Sequence, residues 1–153
     1  MPPSFRFSTR HKLTHAREFA AVFAARMRKA TGPLAVFLMP SDQPTHRLGL
    51  SIGRAVGNAV VRNRLKRMIR EAFRLRQHEI PRPPQLDKTT GYDIVVSAKP
   101  HTPLSLDQYE ALLMNGIAAA DRDLRRRRER TQRPEDAPPM LKEGPKNVPK
   151  DEP

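Results

Sequence analysis

Residues 57–74 read Gly57-Asn58-Ala59-Val60-Val61-Arg62-Asn63-Arg64-Leu65-Lys66-Arg67-Met68-Ile69-Arg70-Glu71-Ala72-Phe73-Arg74, and this stretch decides the fold. At about 100° per residue, its apolar and basic side chains separate onto two sides of one helix. Asn58 is placed to cap the first turn, and Gly57 leaves the preceding backbone free in φ. The predicted core stripe is Val61, Leu65, Met68, Ile69 and Ala72, and the predicted polar side is Asn63, Lys66, Arg67, Arg70 and Arg74.

The charge of this helix has one sign. From Arg54 to Arg76 there are eight basic residues against Glu71 alone, which is more than half of the chain's net charge of +13. A solvated helix usually mixes both signs to gain ion pairs one turn apart, whereas like charges on one element repel each other. An anionic partner would relieve that repulsion. The helix is therefore interpreted as a nucleic-acid-binding element, and a bland basic surface is the alternative.

The segment from Val61 to Arg70 also carries a family resemblance. Together with Gly49-Leu50-Ser51-Ile52-Gly53 and Gly57-Asn58-Ala59-Val60, it resembles the signature of the bacterial ribonuclease P protein family. The resemblance extends over residues 12–124. It implies an α+β fold, a small α/β sandwich in the order α-β-β-β-α-β-α with a very short first strand and a central sheet packed by helices. It also implies a left-handed βαβ crossover, against the general right-handed rule.

Periodicity and composition, together with the resemblance, imply a division of the chain, and the resemblance implies a function. A flexible arm (1–11) would precede an RNA-binding domain (12–125), and a basic, then Pro/Lys/Glu-rich disordered tail (126–153) would follow. The chain would be the protein subunit of ribonuclease P, which binds the catalytic RNA and the 5′ leader of precursor tRNA and assists endonucleolytic removal of that leader. The RNA subunit would use Mg²⁺ for the hydrolysis, so no catalytic or metal-binding residue is expected in the protein.

Two sets of site residues follow from these considerations. The expected partners are ribonuclease P RNA and precursor tRNA, with no membrane and no protein partner. Predicted contacts to the RNA subunit are Arg54, Asn58, Arg62, Asn63, Arg64, Lys66, Arg67 and Arg70. The predicted leader-binding cleft comprises Lys12, Phe19, Phe23, Phe37, Arg47 and Ser51.

Two periodicities predict on which face of its element each phenylalanine of this cleft lies. A helix over residues 15–28, capped by Thr14, would carry Phe19 and Phe23 on one face. In a strand over residues 33–39, Phe37 would point away from the aliphatic row. Bases of any sequence stack on aromatic rings, which would suit a leader of variable sequence. Spacing does not distinguish such a groove from simple core positions.

The remaining elements complete the predicted sheet. Residues 46–53 alternate as a strand and are expected to form an antiparallel hairpin with residues 33–39, while Gly49 and Gly53 leave one face open. Residues 92–97 predict a strand buried on both faces, which a crossover through the basic helix would reach. Ser105 and Gln108 form a capping box for a last helix. Its core stripe is Tyr109, Leu112, Leu113, Ile117, Ala120 and Leu124, and seven arginines lie between residues 122 and 133.

Composition excludes several classes of function. The chain has no cysteine, no apolar run long enough to cross a bilayer and no secretory leader, so a cytoplasmic protein is expected. Its five histidines and scattered carboxylates lack metal-ligand spacing, and phosphate-loop glycine patterns are missing. Ala55 and Ala98 stand where the family often has basic residues. The alternative function is a ribosomal-type structural RNA binder, which would not need Phe19, Phe23 and Phe37 around one groove.

Overall fold

The structure is a computed structural model that describes residues 7–84 and 90–131 of the 153-residue chain. Its helices are α1 (Ala16–Ala24), α2 (Ala59–Arg76) and α3 (Leu106–Thr131). Its strands are β1 (Arg28–Thr31), β2 (Leu34–Pro40), β3 (Arg47–Ser51) and β4 (Tyr92–Ala98). This order and the four-residue first strand confirm the predicted α+β class and element order.

The four strands form one sheet in the order β1-β2-β4-β3. β2 pairs antiparallel with β1 and with β4, whereas β3 pairs parallel with β4. The predicted hairpin between residues 33–39 and 46–53 is therefore wrong, because β4 lies between these strands. As predicted, β4 is buried on both faces from Tyr92 to Val96, and such a strand is most stable with a neighbour on each side.

The connection from β2 to β3 crosses the chain just before β4 at Gly91. The Gly91 N–H donates to the Gln43 carbonyl at 2.8 Å, and its carbonyl accepts from the Ser41 N–H at 3.0 Å. A Cβ atom on residue 91 would lie 2.5 Å from the backbone nitrogen of His46. Glycine is therefore required for this close approach, which lets the connection pass β4 and place β3 on its far side.

Helices cover both faces of the sheet. On one face, α1 packs against Phe37 and Val95, together with the buried Leu13 and Val22. On the other face, α3 approaches β2 so closely that a Cβ on Gly116 would lie 2.6 Å from a methyl group of Val36. Thr31 secures the same contact by donating a hydrogen bond to the Leu112 carbonyl at 2.9 Å. The sheet thus leaves little apolar surface uncovered where α1 and α3 pack.

The basic helix α2 begins as predicted, with the Val61 N–H donating to the Asn58 side-chain oxygen at 3.0 Å. Its buried residues are Leu65, Ile69, Ala72 and Phe73. Val61 was predicted to belong to this stripe, but 41% of it is exposed. Its position in the first turn explains the difference, because there the stripe faces an open groove beside Val56 and Leu104 instead of the core.

The first helix differs from its prediction at both ends. Thr14 does not cap α1; the N-cap is His15, and the Glu18 carboxylate accepts the backbone N–H groups of Thr14 and His15 at 3.2 and 3.1 Å. The helix ends at Ala24 instead of residue 28. Arg26 adopts a left-handed conformation with φ of 59°, which stops the helix and turns the chain into β1.

Part of the predicted N-terminal arm is packed on the domain. Phe7 contacts Phe73 edge-to-face at a centroid distance of 5.6 Å and stacks on His11 at 6.1 Å. His11 is buried, and its ring accepts the Ser8 N–H at 3.0 Å. In the structure residues 7–11 are thus packed on the domain through the contact of Phe7 with Phe73, whereas a flexible arm was predicted over residues 1–11. Residues 1–6 lie outside the described part of the chain.

The last helix begins with the predicted capping box. The Ser105 N–H donates to Gln108 at 2.9 Å, and the Gln108 N–H donates to the Ser105 hydroxyl at 3.2 Å. The compact unit that contains the sheet ends at Asp121, and residues from Arg122 form a second unit. Helix α3 continues to Thr131, so the first residues of the predicted tail are helical, and there Arg126 pairs with Asp123 at 3.2 Å. The tail from residue 132 lies outside the described residues.

Buried His46 makes the stability of this fold depend on pH. Its Nδ1 accepts the Tyr92 N–H at 2.9 Å, and its Nε2 lies 3.3 Å from the Ile80 carbonyl oxygen. Burial, with a smaller contribution from the Arg82 charge, lowers the pKa of His46 to about 4. The neutral ring is therefore the folded form, while the unfolded chain binds a proton at the ordinary pKa of about 6.5.

We expect the free energy of unfolding to fall as pH decreases from about 6.5 to 4, because protons then favour the unfolded chain. The His46 contribution to this loss should be on the order of 2–3 kcal/mol. Urea unfolding of wild type and His46→Asn at several pH values measures it, since asparagine keeps an acceptor near the Nδ1 position. The control is His15→Asn, at an exposed histidine that does not contribute to the lowered pKa of His46. Parallel curves for wild type and His46→Asn would contradict the prediction.

Candidate nucleic-acid interface

The basic side of α2 divides into two parts with different partners. Toward its C-terminus, Arg74 binds both carboxylate oxygens of Glu71 at 2.9 and 2.6 Å, and Arg76 binds Glu79 and Glu110 at 2.6 and 2.7 Å. The hydrogen bond that Arg74 donates to Glu71 is the main cause that raises the pKa of Arg74. These arginines already have anionic partners inside the protein. Arg74 therefore lies on the polar side of α2, as predicted, but its charge is already neutralised by Glu71.

The remaining basic residues of this side make no ion pair within residues 7–84 and 90–131. Arg62 reaches only a backbone acceptor, the Gly57 carbonyl, at 3.2 Å. Asn58 is exposed at the N-cap, where the helix dipole also favours anions. The structure thus brings all the predicted contacts to the RNA subunit onto one helix and the turn before it. Those without an acidic partner are Arg54, Arg62, Arg64, Lys66, Arg67 and Arg70.

The aromatic residues of the predicted cleft lie between α1 and the sheet. Phe23 and Phe37 meet edge-to-face at a centroid distance of 4.7 Å. Phe19 and Phe37 are partly buried against one small cluster of Leu13, Val22 and Val95. Phe23 is 36% exposed. The rings therefore close the core beneath α1, and Phe23 also presents aromatic surface at its edge.

Beyond Phe37, the same sheet face carries small residues. Phe37 pairs with Val95, and two residues further the paired row is Ala35, Ser97 and Ser51. Residues two apart in a strand share a face, so these side chains lie next to the phenylalanines. Ser51 is exposed, and a Cβ on Gly53 would have nothing within 4 Å. The sheet face is therefore open here, and the guanidinium of Arg28 stands at its edge, 6.0 Å from the Phe37 ring centroid.

The sequence predicted that Gly49 leaves the sheet face open, but in the structure this position is covered. A Cβ on residue 49 would lie 2.7 Å from the tip of the Phe19 ring and 3.0 Å from Leu13. The space that glycine leaves is filled by the chain's own aromatic residue. Gly49 therefore serves to seat α1 against β3, and the open part of the face begins at Ser51.

Arg47 forms ion pairs within the fold and is therefore not a free cation in the predicted cleft. Its Nε and Nη2 donate to the two carboxylate oxygens of Asp93, both at 2.8 Å, and its Nη1 donates to Glu18 at 3.0 Å. The bond to Asp93 is the main cause that raises the pKa of Arg47. Arg47 therefore ties α1, β3 and β4 together. Sequence reasoning missed this role because it depends on the β3–β4 register, in which Arg47 is directly opposite Asp93.

A shallow cavity joins the two predicted sites. It contains Lys12 and Phe19 from the leader set and Lys66 and Arg70 from the RNA-subunit set. Phe7, which was predicted to lie in the flexible arm, also lines this cavity. The Lys12 ammonium lies 5.7 Å from the centroid of the Phe7 ring. The aromatic surface and the basic helix are thus neighbours, and Phe7 is a functional candidate that only its packing reveals.

Two classes of site find no support among the described residues. No helix there is long and apolar enough to cross a membrane. Within residues 7–84 and 90–131, no three His, Cys, Asp or Glu side chains form a group that could hold a metal ion.

Basic side chains without acidic partners in the described residues lie on α2, beside an aromatic and open sheet face. This combination is typical of small α+β RNA-binding proteins. The family within that class follows from comparison with known sequences. The Ribonuclease P family model matches residues 7–120. The chain therefore belongs to the ribonuclease P protein family, as the signature around Arg62 and Arg64 indicated.

Individual relatives agree with this assignment. The chain is 34% identical over 108 residues to the "Ribonuclease P protein component" of Bacillus cereus, covering 69% of this chain and 87% of the relative. The component of Syntrophobacter fumaroxidans is 40% identical over 100 residues, covering 65% and 78%. The solved RNase P protein of Thermotoga maritima superposes with a TM-score of 0.58 at 26% identity, covering 71% of this chain and 96% of that one. The fold class is thereby confirmed, and the ribosomal-type alternative is not favoured.

Replacing Arg47 tests its structural role. Arg47→Ala should lower the free energy of unfolding by about 3 kcal/mol, because it leaves the buried Asp93 carboxylate without its partner. Arg28→Ala, at an exposed arginine, is the control and should change stability by less than about 0.5 kcal/mol. The double variant Arg47→Ala/Asp93→Ala should recover part of the loss by removing the stranded charge. Denaturant unfolding measures the stability of each variant. Equal stability of Arg47→Ala and Arg28→Ala would refute the structural role of Arg47.

Proposed function

We propose that this chain serves in ribonuclease P as the non-catalytic subunit, with α2 against the catalytic RNA and the aromatic sheet face against the 5′ leader of precursor tRNA. The observation that carries the proposal is the joining of the two surfaces, since Lys12 and Phe19 share a cavity with Lys66 and Arg70. A single strand leaving the catalytic RNA could follow this cavity onto the sheet. The proposed setting is the cytoplasm, where both RNAs are made.

The leader assignment is supported by the chemistry of the open face. Phe23 and Phe37 offer ring surface on which bases stack whatever their sequence, at roughly 1–3 kcal/mol per base. Ser51 and Ser97 leave room beside the rings and provide hydroxyl groups. Arg28 and Lys12 place positive charge near phenylalanines, where they would meet phosphates. Arg47 acts indirectly in this proposal, because its contacts to Asp93 and Glu18 hold α1 over the sheet.

The RNA-subunit assignment is supported by the distribution of ion pairs on α2. Arg74 and Arg76 are neutralised within the protein, whereas Arg62, Arg64 and Arg67 have no acidic partner in the described residues. Such unpaired guanidinium groups bind phosphates bidentately and release counterions. Arg54 and Lys99 act alone at places where the family often has further basic residues, since Ala55 and Ala98 carry no charge.

The proposed division of labour places the hydrolytic chemistry on RNA. Mg²⁺ would be bound by the RNA subunit, whose phosphates supply the hard oxygen ligands that this ion prefers. The protein would contribute by positioning the leader and by reducing repulsion between two polyanions. Its own side chains would neither transfer protons nor attack phosphorus.

Removing charge from α2 tests the contact with the RNA subunit. We expect Arg62→Ala, Arg64→Ala and Arg67→Ala each to weaken binding to ribonuclease P RNA and to flatten the slope of log affinity against log salt by about 0.7–0.9 per lost phosphate contact. Arg74→Ala is the matched control on the same helix and should leave the slope nearly unchanged, because Glu71 already neutralises it. A folded triple variant with the wild-type slope would refute the assignment.

Removing aromatic surface tests the contact with the leader. Phe37→Ala should weaken binding of precursor tRNA to the reconstituted holoenzyme by roughly 1–3 kcal/mol and leave binding of mature tRNA unchanged, since only the precursor has a leader to stack. Phe23→Ala should act in the same way with less effect on folding, because Phe23 is more exposed than Phe37.

The comparison of the two substrates separates stacking from misfolding. Val60→Ala is the control for the loss of an exposed apolar side chain, since Val60 is 69% exposed and is not one of the predicted cleft residues. Equal loss of affinity for precursor and mature tRNA would indicate a folding or general electrostatic defect. If both phenylalanine variants fold and bind precursor tRNA as tightly as wild type, the assignment of the leader to this face is wrong.

A further inference from the structure

A polar cavity of about 170 Å³ lies where four separate segments of the chain converge. The turn at Thr9–His11, the connection before β3, the turn at Gln77–Glu79 and the segment after it each contribute to its wall. Neither the aromatic face nor the unpaired arginines of α2 belong to it. Its lining residues are Arg10, His11, Thr45, His46, Gln77, His78, Ile80 and Arg82.

His11 supplies this cavity with a buried donor that has no partner in the described part of the chain. The residue is only 6% exposed. Its Nδ1 accepts the Ser8 N–H at 3.0 Å and lies 3.1 Å from the Ser8 hydroxyl, which assigns the ring proton to Nε2. That Nε2–H meets no acceptor among residues 7–84 and 90–131. Because buried donors are rarely left unsatisfied, an acceptor beyond these described residues is expected here.

The charged groups around this donor have one sign. The pKa of His11 is lowered by burial first, and then by the charges of Arg10 and His78. The pKa of His46 is lowered by burial and then by Arg82, His78 and His11. No carboxylate contributes to either shift. The cavity therefore combines positive charge with N–H donors, and no acid is among its described lining residues.

We propose that this cavity binds a phosphate group. The Arg10 guanidinium and the His11 Nε2–H would donate to its oxygens, because a phosphate offers several acceptors and the negative charge that the cavity lacks. Arg82 is positioned at the wall by hydrogen bonds to the carbonyls of Pro44 and Thr90 at 2.8 and 3.2 Å. The phosphate could belong to an RNA backbone or be a free inorganic ion, since both present the same oxygens.

Titration of the full-length protein with inorganic phosphate tests the site without any RNA. At constant ionic strength maintained with chloride, phosphate should shift the His11 ring signals in a saturable way, as followed by NMR of the histidine side chains. Arg10→Gln and His11→Asn should each weaken this binding at least tenfold. His11→Asn keeps an acceptor for Ser8 while removing the donor at the Nε2 position, and Arg10→Gln, at an exposed residue, decides the test if the other variant does not fold.

The control for charge is Arg122→Gln, which removes one exposed arginine from the second unit and should leave phosphate affinity within twofold of wild type. Unchanged phosphate affinity in Arg10→Gln, or an equal response of His11 to chloride, would overturn the proposal. Because this titration involves no ribonuclease P RNA, its result is independent of the roles assigned above to α2 and the phenylalanines.

The source of the phosphate is decided by a second measurement. If it belongs to an RNA backbone, Arg10→Gln should flatten the salt dependence of affinity for ribonuclease P RNA or precursor tRNA by about 0.7–0.9, and inorganic phosphate should compete. If the site takes a free ion, RNA affinity and its slope should be unchanged in a variant that no longer binds phosphate.

Discussion

The central position of β4 is the constraint on which the rest of the structure depends. Its residues from Tyr92 to Val96 are buried on both faces, so the strand requires a neighbour at each edge and a helix layer on each side. β2 takes one edge antiparallel, and β3 takes the other in parallel. A parallel neighbour needs a long crossover, and that crossover is α2. The helix that carries the basic surface is therefore the one that the sheet topology requires.

The Arg47 ion pairs connect this sheet to the aromatic surface. Asp93 begins the buried strand, Arg47 is its direct partner on β3, and Glu18 extends the contact to α1. With Phe19 seated in the space over Gly49, these contacts fix where α1 crosses the sheet. The short helix covers only part of the face, and the row at Ser51 and Ser97 stays open. An ion pair inside the fold thus helps to hold α1, which borders the proposed leader cleft.

The charge on α2 is organised by the presence or absence of neighbouring acids. Arg74 and Arg76 lie where Glu71, Glu79 and Glu110 can reach them, so they stabilise the end of the helix. The earlier arginines have no acid in the described residues, and their mutual repulsion favours association with a polyanion. Phe19 and Phe37 also serve two purposes in this proposal, since they are partly buried against the core beneath α1 and border the proposed leader cleft.

The sequence by itself determined the elements and the family. The period of residues 57–74, the caps at Asn58 and Ser105 and the apolar run of β4 are local signals, and the signature around Arg62 and Arg64 identified the ribonuclease P proteins. Tertiary structure alone decided the strand order, the packing of Phe7, the exposure of Val61 and the partners of Arg47. Each of these depends on residues distant in the chain, such as Gly91 against His46 or Arg47 against Asp93. Local periodicity specifies which side of an element is apolar, but not which element will cover it.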